Sequence, residues 1–299
     1  MTITKKRLAS SSAGSHRRNT LVVGLAVILF LGAGIAFWFH RRSLVNFVEA
    51  PGPRFTGTYA PAERANTGEL TIVSWNIRFG ENVDAAIKEL RSVENLQDAD
   101  LLLLQEMDQE GVDQIGRALG YNYVYYPASI HTNGRLFGNA VLSKWPIKES
   151  MKIVLPHASP TNQQRRIAVR AIVTVAGSEI TAYSVHTETA VLSSAKRDEQ
   201  VEHLSREIGL DGHECVIVGG DFNTISASSI RTLTERMKVL DLAPVTDQPQ
   251  PTTKRGFLGF TLDHLFVRDL TPKEVGVWPE TVASDHFPLW AVVSGCGQE

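Results

Sequence analysis

Six short clusters of acid, amide and imidazole side chains stand at the ends of apolar runs in this 299-residue chain. They are Ser74-Trp75-Asn76, Gln105-Glu106, His186-Thr187-Glu188, Asp221-Phe222-Asn223, Leu262-Asp263 and Ser284-Asp285-His286. Runs of Val, Ile and Leu make buried strands, so a charged or amide side chain at such an edge needs a reason. Carboxylates offer hard oxygen ligands to a divalent cation, and amides and imidazoles offer N–H donors to an oxyanion. The chemistry to which the set points is metal-assisted cleavage of a phosphate ester.

The elements that carry these clusters sort them further. Asn76, Glu106, His186 and Asp221 close their runs, whereas Asp263 and the Asp285-His286 pair open theirs. In antiparallel neighbours the end of one strand lies beside the start of the next, so all six clusters can meet at one edge. Strands are expected over 70–77, 100–105, 121–126, 139–143, 153–155, 167–175, 179–185, 215–218, 262–267 and 286–293. Val83, Ala86, Ile87, Leu90, Val93 and Leu96 recur at helical spacing, and further helices are expected over 112–119, 191–208 and 228–237. Many strands with few helices suggest an α+β architecture of two sheets packed face to face with helices outside. Reading Ser284-Asp285-His286 as a serine-hydrolase triad fails, because contiguous side chains cannot form that geometry and no nucleophile elbow is present.

From about Leu70 to Val293 the chain resembles the endonuclease/exonuclease/phosphatase family, whose motifs occur here in the right order. Any one motif is weak, and the ordered series is specific. The resemblance implies a four-layer α/β/β/α sandwich of the DNase I-like kind and a hydrolase of phosphate esters that uses Mg²⁺ or Mn²⁺. It assigns Glu106 to the metal, with Asn76 supporting both metal and phosphate and Asp285 as a second metal-side acid. Asp221 then positions or deprotonates the attacking water, and Asn223 holds the phosphate. His286 contacts the scissile phosphate or acts as acid/base, Asp263 accepts its other ring N–H, and His186 hydrogen-bonds a phosphate oxygen. Arg135, Arg165, Arg166 and Arg170 are either phosphate contacts or solvated surface. Phe257 and Phe260 either line the substrate mouth or pack locally. His264 and Tyr183 read as structural.

Composition bounds the partners. Residues 1–42 carry seven Lys or Arg and no acid, so the remaining 257 residues bear a net charge of −9 within a whole-chain value of −2. Such a domain is not steered towards a polyanion as a whole and would need a local basic strip and bound cations. The substrate expected is a phosphodiester of nucleic acid, with a lipid or inositol phosphoester at a membrane surface as the alternative. Nothing in the sequence indicates a protein partner.

The amino terminus supplies the membrane argument. Residues 20–39 form an uncharged apolar run long enough to cross a bilayer as helix, flanked by Trp38, Phe39, Arg41 and Arg42. A cleaved signal peptide competes, although the run exceeds the usual length and Phe-Trp-Phe stands where small residues would guide cleavage. The expected order is a basic tail (1–19), a transmembrane helix (20–39), a linker rich in Pro and Gly (40–68) and the catalytic domain (69–299). The basic excess before the span puts the tail in the cytoplasm and the domain outside. Cys215 and Cys296 allow one disulfide without demanding it, which leaves the redox compartment open.

Overall fold

The computed structural model describes residues 27–32, 34, 45–61, 68–131, 133–248, 250–255 and 258–296. It divides into two units, 1–43 and 44–299. The basic tail and most of the expected span lie outside the described residues. Within the run, 27–32 and 34 are helical with exposed side chains, and among the described residues no helix is long and apolar enough to cross a membrane.

The second unit is built on two sheets. One contains β1 (Phe55–Gly57), β2 (Glu69–Asn76), β3 (Leu101–Met107), β4 (Asn122–Ile130), β5 (Leu136–Ser143), β14 (Leu270–Val277) and β15 (Leu289–Gly295), in the order β1-β4-β5-β3-β2-β15-β14. The other contains β6 (Ile147–Val154), β7 (Ile167–Val175), β8 (Ser178–His186), β9 (Cys215–Asp221), β10 (Ala243–Pro244) and β13 (Asp263–Arg268), in the order β10-β13-β9-β8-β7-β6. A small hairpin joins β11 (Thr253–Arg255) to β12 (Leu258–Phe260).

Period-2 alternation explains the layering. Leu101 and Leu103 point into the core between the sheets, and Leu102 and Leu104 into a second core under helices α1 (Val83–Ser92) and α2 (Gln109–Leu119). On β9, Ile217 faces the partner sheet, while Val216 and Val218 face α3 (Ser194–Leu210) and α4 (Ala227–Lys238). Strands covered on both faces read as continuous apolar runs, which is why Leu-Leu-Leu-Leu and Val-Ile-Val have no polar alternation. The result is the expected helix–sheet–sheet–helix sandwich.

Three expectations need correction. The stretch read as a linker is folded in part. Val45 O accepts from Ile130 N at 2.9 Å, β1 pairs with β4, and Tyr59 hydroxyl donates to Asp113 at 2.8 Å. Lys152, only 1 % exposed, donates through Nζ to Phe47 O and Gly52 O, at 2.7 Å each. Proline and glycine mark irregular backbone, and here that backbone is bonded to the sheet rather than solvated. β14 was not expected, because its Thr-Pro-Lys-Glu stretch lies at a sheet edge with one solvated face. The last strand starts at Leu289 rather than His286, since Pro288 cannot donate to a ladder.

Candidate active site

Register brings the clusters together. In the parallel pair β2–β3, Asn76 lies opposite Gln105, so Asn76 and Glu106 reach the same edge. In the parallel pair β8–β9, His186 is the partner of Asp221, and across the antiparallel pair β13–β9 Asp263 is the partner of the same Asp221. One aspartate is thus flanked in register by an imidazole on one side and a carboxylate on the other. His286 precedes β15 and is fixed by its backbone: its carbonyl accepts from Trp75 Nε1 at 2.9 Å and its N–H donates to Ser284 Oγ at 3.1 Å.

Two local distortions aim the side chains. The β3–β5 register shifts between Leu104 and Met107, and Glu106 in that bulge has φ 56°. A bulge re-aims a side chain, and a left-handed glutamate is a strained residue of the kind found at functional sites. Asn223 is also left-handed, at φ 50°, held by its N–H donating to Asp221 Oδ1 at 2.9 Å. Gly220 serves close approach, because a Cβ there would stand 1.9 Å from Val185 O.

The distances define one pocket. Asn76 Nδ2 donates to Asp221 Oδ2 at 3.1 Å, and Asn76 Oδ1 accepts from Arg78 N–H at 3.0 Å. His186 Nε2 stands 3.6 Å from Asp221 Oδ2 and 3.7 Å from Glu106 Oε1. His286 Nδ1 bonds Asp263 Oδ2 at 2.9 Å, leaving Nε2 3.8 Å from Asp221 Oδ2. Asn223 Nδ2 donates to Thr187 O at 3.1 Å, which leaves the second amide hydrogen for another acceptor. Asp285 is half-buried, with its carbonyl taken by Thr253 Oγ1, and its charge raises the pKa of Glu106.

Charge is poorly balanced in this pocket. Burial pushes the Glu106 carboxyl above its ordinary value despite Arg166 and His286. Burial raises Asp221 to about 7, with His286 opposing and Asp263 adding to the rise. Burial works against a charged His286, yet Asp263 and Asp221 hold it up at about 10. His186 is pushed well below its ordinary value by burial, Arg166 and His286. Among the described residues His186 Nε2 and Asp263 Oδ1 are buried with no hydrogen-bond partner.

Carboxylates strained towards neutrality, with Asp263 Oδ1 left without a partner, are what a divalent cation would relieve, so the donor set fits one. Asp221, Asp263 and His286 can present ligand atoms within 4.8 Å of one another. Asp263 Oδ2 is already engaged by His286, however, so that pair is better explained as an oriented imidazole than as two ligands. Glu106, its side chain 14% exposed against 3% for Asp221 and 1% for Asp263, is more open to an ion than either.

Sequence reasoning missed the role of Arg166. Its Nη1 lies 3.3 Å from His186 Nδ1, and Nε and Nη2 donate to Glu188 at 3.3 Å each. Arginine can only donate, so His186 Nδ1 accepts and its hydrogen sits on Nε2, facing Glu106 and Asp221. The other arginines are engaged elsewhere: Arg135 with Asp108, and Arg170 with Asp211 beside Tyr183 hydroxyl. Arg165 is half-buried. Phe257 lies outside the described residues, and Phe260 is half-buried in β12. His264 is structural, bonding Thr224 Oγ1 at 2.6 Å through Nε2.

Comparison with known proteins bears on the fold and the family. The chain is similar to a UPF0294 protein of Vibrio vulnificus, 41% identical over 73 residues that span 24% of this chain and 25% of that relative. A UPF0294 protein of Vibrio cholerae is 28% identical over 229 residues, covering 74% of this chain and 76% of its own length. Among solved structures, D. rerio TDP2 complexed with single strand DNA product shares the fold with a TM-score of 0.58 at 20% identity, over 76% of this chain and 99% of that one. Residues 73–286 match the model of one family. The chain belongs to the endonuclease/exonuclease/phosphatase family.

Proposed function

We propose that this protein is a divalent-metal-dependent phosphodiesterase that cleaves nucleic acid by in-line attack of water. The observation that carries the reading is the placement of Asp221 between His186 and Asp263 in adjacent strands, with Glu106 across the pocket. Glu106, with Asn76 and Asp285 beside it, would hold Mg²⁺ or Mn²⁺, which supplies charge neutralisation to the phosphate when bound. Asp221, raised to about 7, is matched to accept a proton from the attacking water near neutral pH. His286, raised to about 10 and oriented by Asp263, donates to a non-bridging oxygen as an imidazolium. Neutral His186 donates through Nε2–H, and Asn223 through its free amide hydrogen. The solved neighbour with a single-strand DNA product supports a nucleic-acid substrate.

A second reading rests on the apolar run 20–39. If it anchors the chain with the basic tail cytoplasmic and the catalytic domain outside, a lipid or inositol phosphodiester becomes the accessible substrate. The disulfide between Cys215 and Cys296 supports an oxidising compartment. Plasmid nicking and oligonucleotide cleavage, run beside release of choline phosphate and inorganic phosphate with and without Mg²⁺, separate the readings. Full activity in EDTA removes the metal from both. A carboxyl-terminal reporter active only in the cytoplasm overturns the topology.

A further inference from the structure

Three rings form a mutual contact at the edge of the site and take no part in the chemistry above. Phe79 and His131 centroids are 4.5 Å apart, Phe79 and Phe137 5.6 Å, and His131 and Phe137 5.8 Å. Phe137 in turn lies 6.0 Å from the His186 ring. Phe137 and His186 are buried, whereas Phe79 and His131 are half-buried, so the row of rings runs from the pocket to the solvent.

The backbone carries Phe79 there at a cost. Arg78, Phe79 and Gly80 are consecutively left-handed, at φ 21°, 55° and 58°. A bulky residue with positive φ is an outlier that persists only where its surroundings over-determine it. Those surroundings are catalytic: Arg78 N–H donates to Asn76 Oδ1 at 3.0 Å, and Ile77 N–H to Gln105 O at 3.1 Å. A phenylalanine needed only for packing would not require this turn.

We propose that Phe79 and His131 form a stacking subsite for a nucleobase flanking the scissile phosphate. The inference rests on the nucleic-acid reading above and deepens it. The Arg166 guanidinium, ion-paired to Glu188, lies 5.3 Å from the Phe137 ring centre, and the exposed Arg78 beside Phe79 pairs with Glu81 at 3.5 Å. Aromatic rings at the mouth of a phosphate site suit a flat ring joined to phosphates, and a quaternary ammonium is the competing ligand that the test excludes.

The test uses the Asp221→Asn protein with Mg²⁺ and a short single-stranded oligonucleotide carrying 2-aminopurine, against the same strand with an abasic residue at that position. Stacking quenches the fluorophore and makes the base-bearing strand bind roughly 5–100-fold tighter than the abasic one. Phe79→Ala and His131→Ala should abolish the quenching and collapse that preference, and Phe79→Trp should retain both. Unquenched binding, or a preference that survives Phe79→Ala in a protein of unchanged thermal unfolding, overturns the subsite. So does tighter binding of phosphocholine than of the oligonucleotide. Absence of strand cleavage by the wild-type protein, with quenching intact, would instead reject the phosphodiesterase reading and leave the ring site standing.

Discussion

His186 and Asp221 are direct partners across the parallel pair β8–β9, and Nε2 of one lies 3.6 Å from Oδ2 of the other. Parallel pairing puts both strand ends at one level, so a shift of either strand would separate the two groups. The arrangement predicts that Asp221→Asn and Glu106→Gln each reduce phosphodiester turnover by about 10²–10⁴-fold. Neither change should lower the unfolding temperature of the metal-free protein, because each removes a carboxylate that burial already pushes towards neutrality. A variant that loses activity only through unfolding contradicts the assignment.

The same groups set a pH dependence of stability in EDTA. Asp221 is raised from 3.8 to about 7, so the folded state binds more protons than the unfolded one between those values. His286 is raised from 6.5 to about 10, and its contribution is fully present below 6.5 and lost as pH climbs through 10. Both act in one direction, so metal-free stability should fall from mildly acidic to alkaline pH. Denaturant titrations at several pH values measure the slope. His286→Asn should flatten its alkaline limb, and an unchanged slope in that variant rejects the ion cluster as its source.

What the sequence revealed follows from what periodicity encodes. The closing positions of Leu101–Leu104 and Val216–Val218 were legible because buried runs have sharp polar ends; the end-versus-start rule said only that the clusters could share an edge, and it is the register of β9 and β13 that sets Asp221 opposite Asp263. Arg166 was not legible, since nothing in Gln-Arg-Arg-Ile tells a buried guanidinium from a solvated one; only the fold brings Glu188 and His186 onto it. The bulge at Glu106 and the turn at Phe79 were invisible too, because left-handed non-glycine residues leave no compositional mark. Residues 45–61 looked like a tether because their bonds go to distant strands rather than to one another.

That last segment makes a prediction about domain limits. A protein beginning near Leu44 should be more stable than one beginning at Gly68. The shorter form uncovers β4 as a sheet edge and strips Lys152 of both carbonyl partners. Losing a buried hydrogen-bonded group's partners costs ~1–3 kcal/mol before the lost strand is counted. Urea unfolding of the two forms decides it, and equal midpoints would show that the strap is passive.

Gly220 predicts a steeper loss. A methyl group at this position meets Val185 O at 1.9 Å, at a backbone φ of 154°. Gly220→Ala must therefore part β8 from β9 at the level of His186 and Asp221. A destabilisation of at least ~3 kcal/mol is expected, with activity falling further than stability explains. Gly212→Ala, where nothing lies within 4 Å, is the control for left-handed strain without a clash.

Arg166 and Glu188 give the most discriminating experiment. Both are buried, at 7% and 1% exposure, and each is the other's counter-charge. Arg166→Met leaves Glu188 unpaired and should cost ~3–5 kcal/mol of stability. The double variant Arg166→Met with Glu188→Gln removes both charges and should recover most of that loss. Activity should not recover with it, because His186 Nδ1 still lacks the donor that keeps the hydrogen on Nε2. Recovery of stability and turnover together would mean that Arg166 only neutralises Glu188; recovery of stability alone identifies it as the group that orients His186.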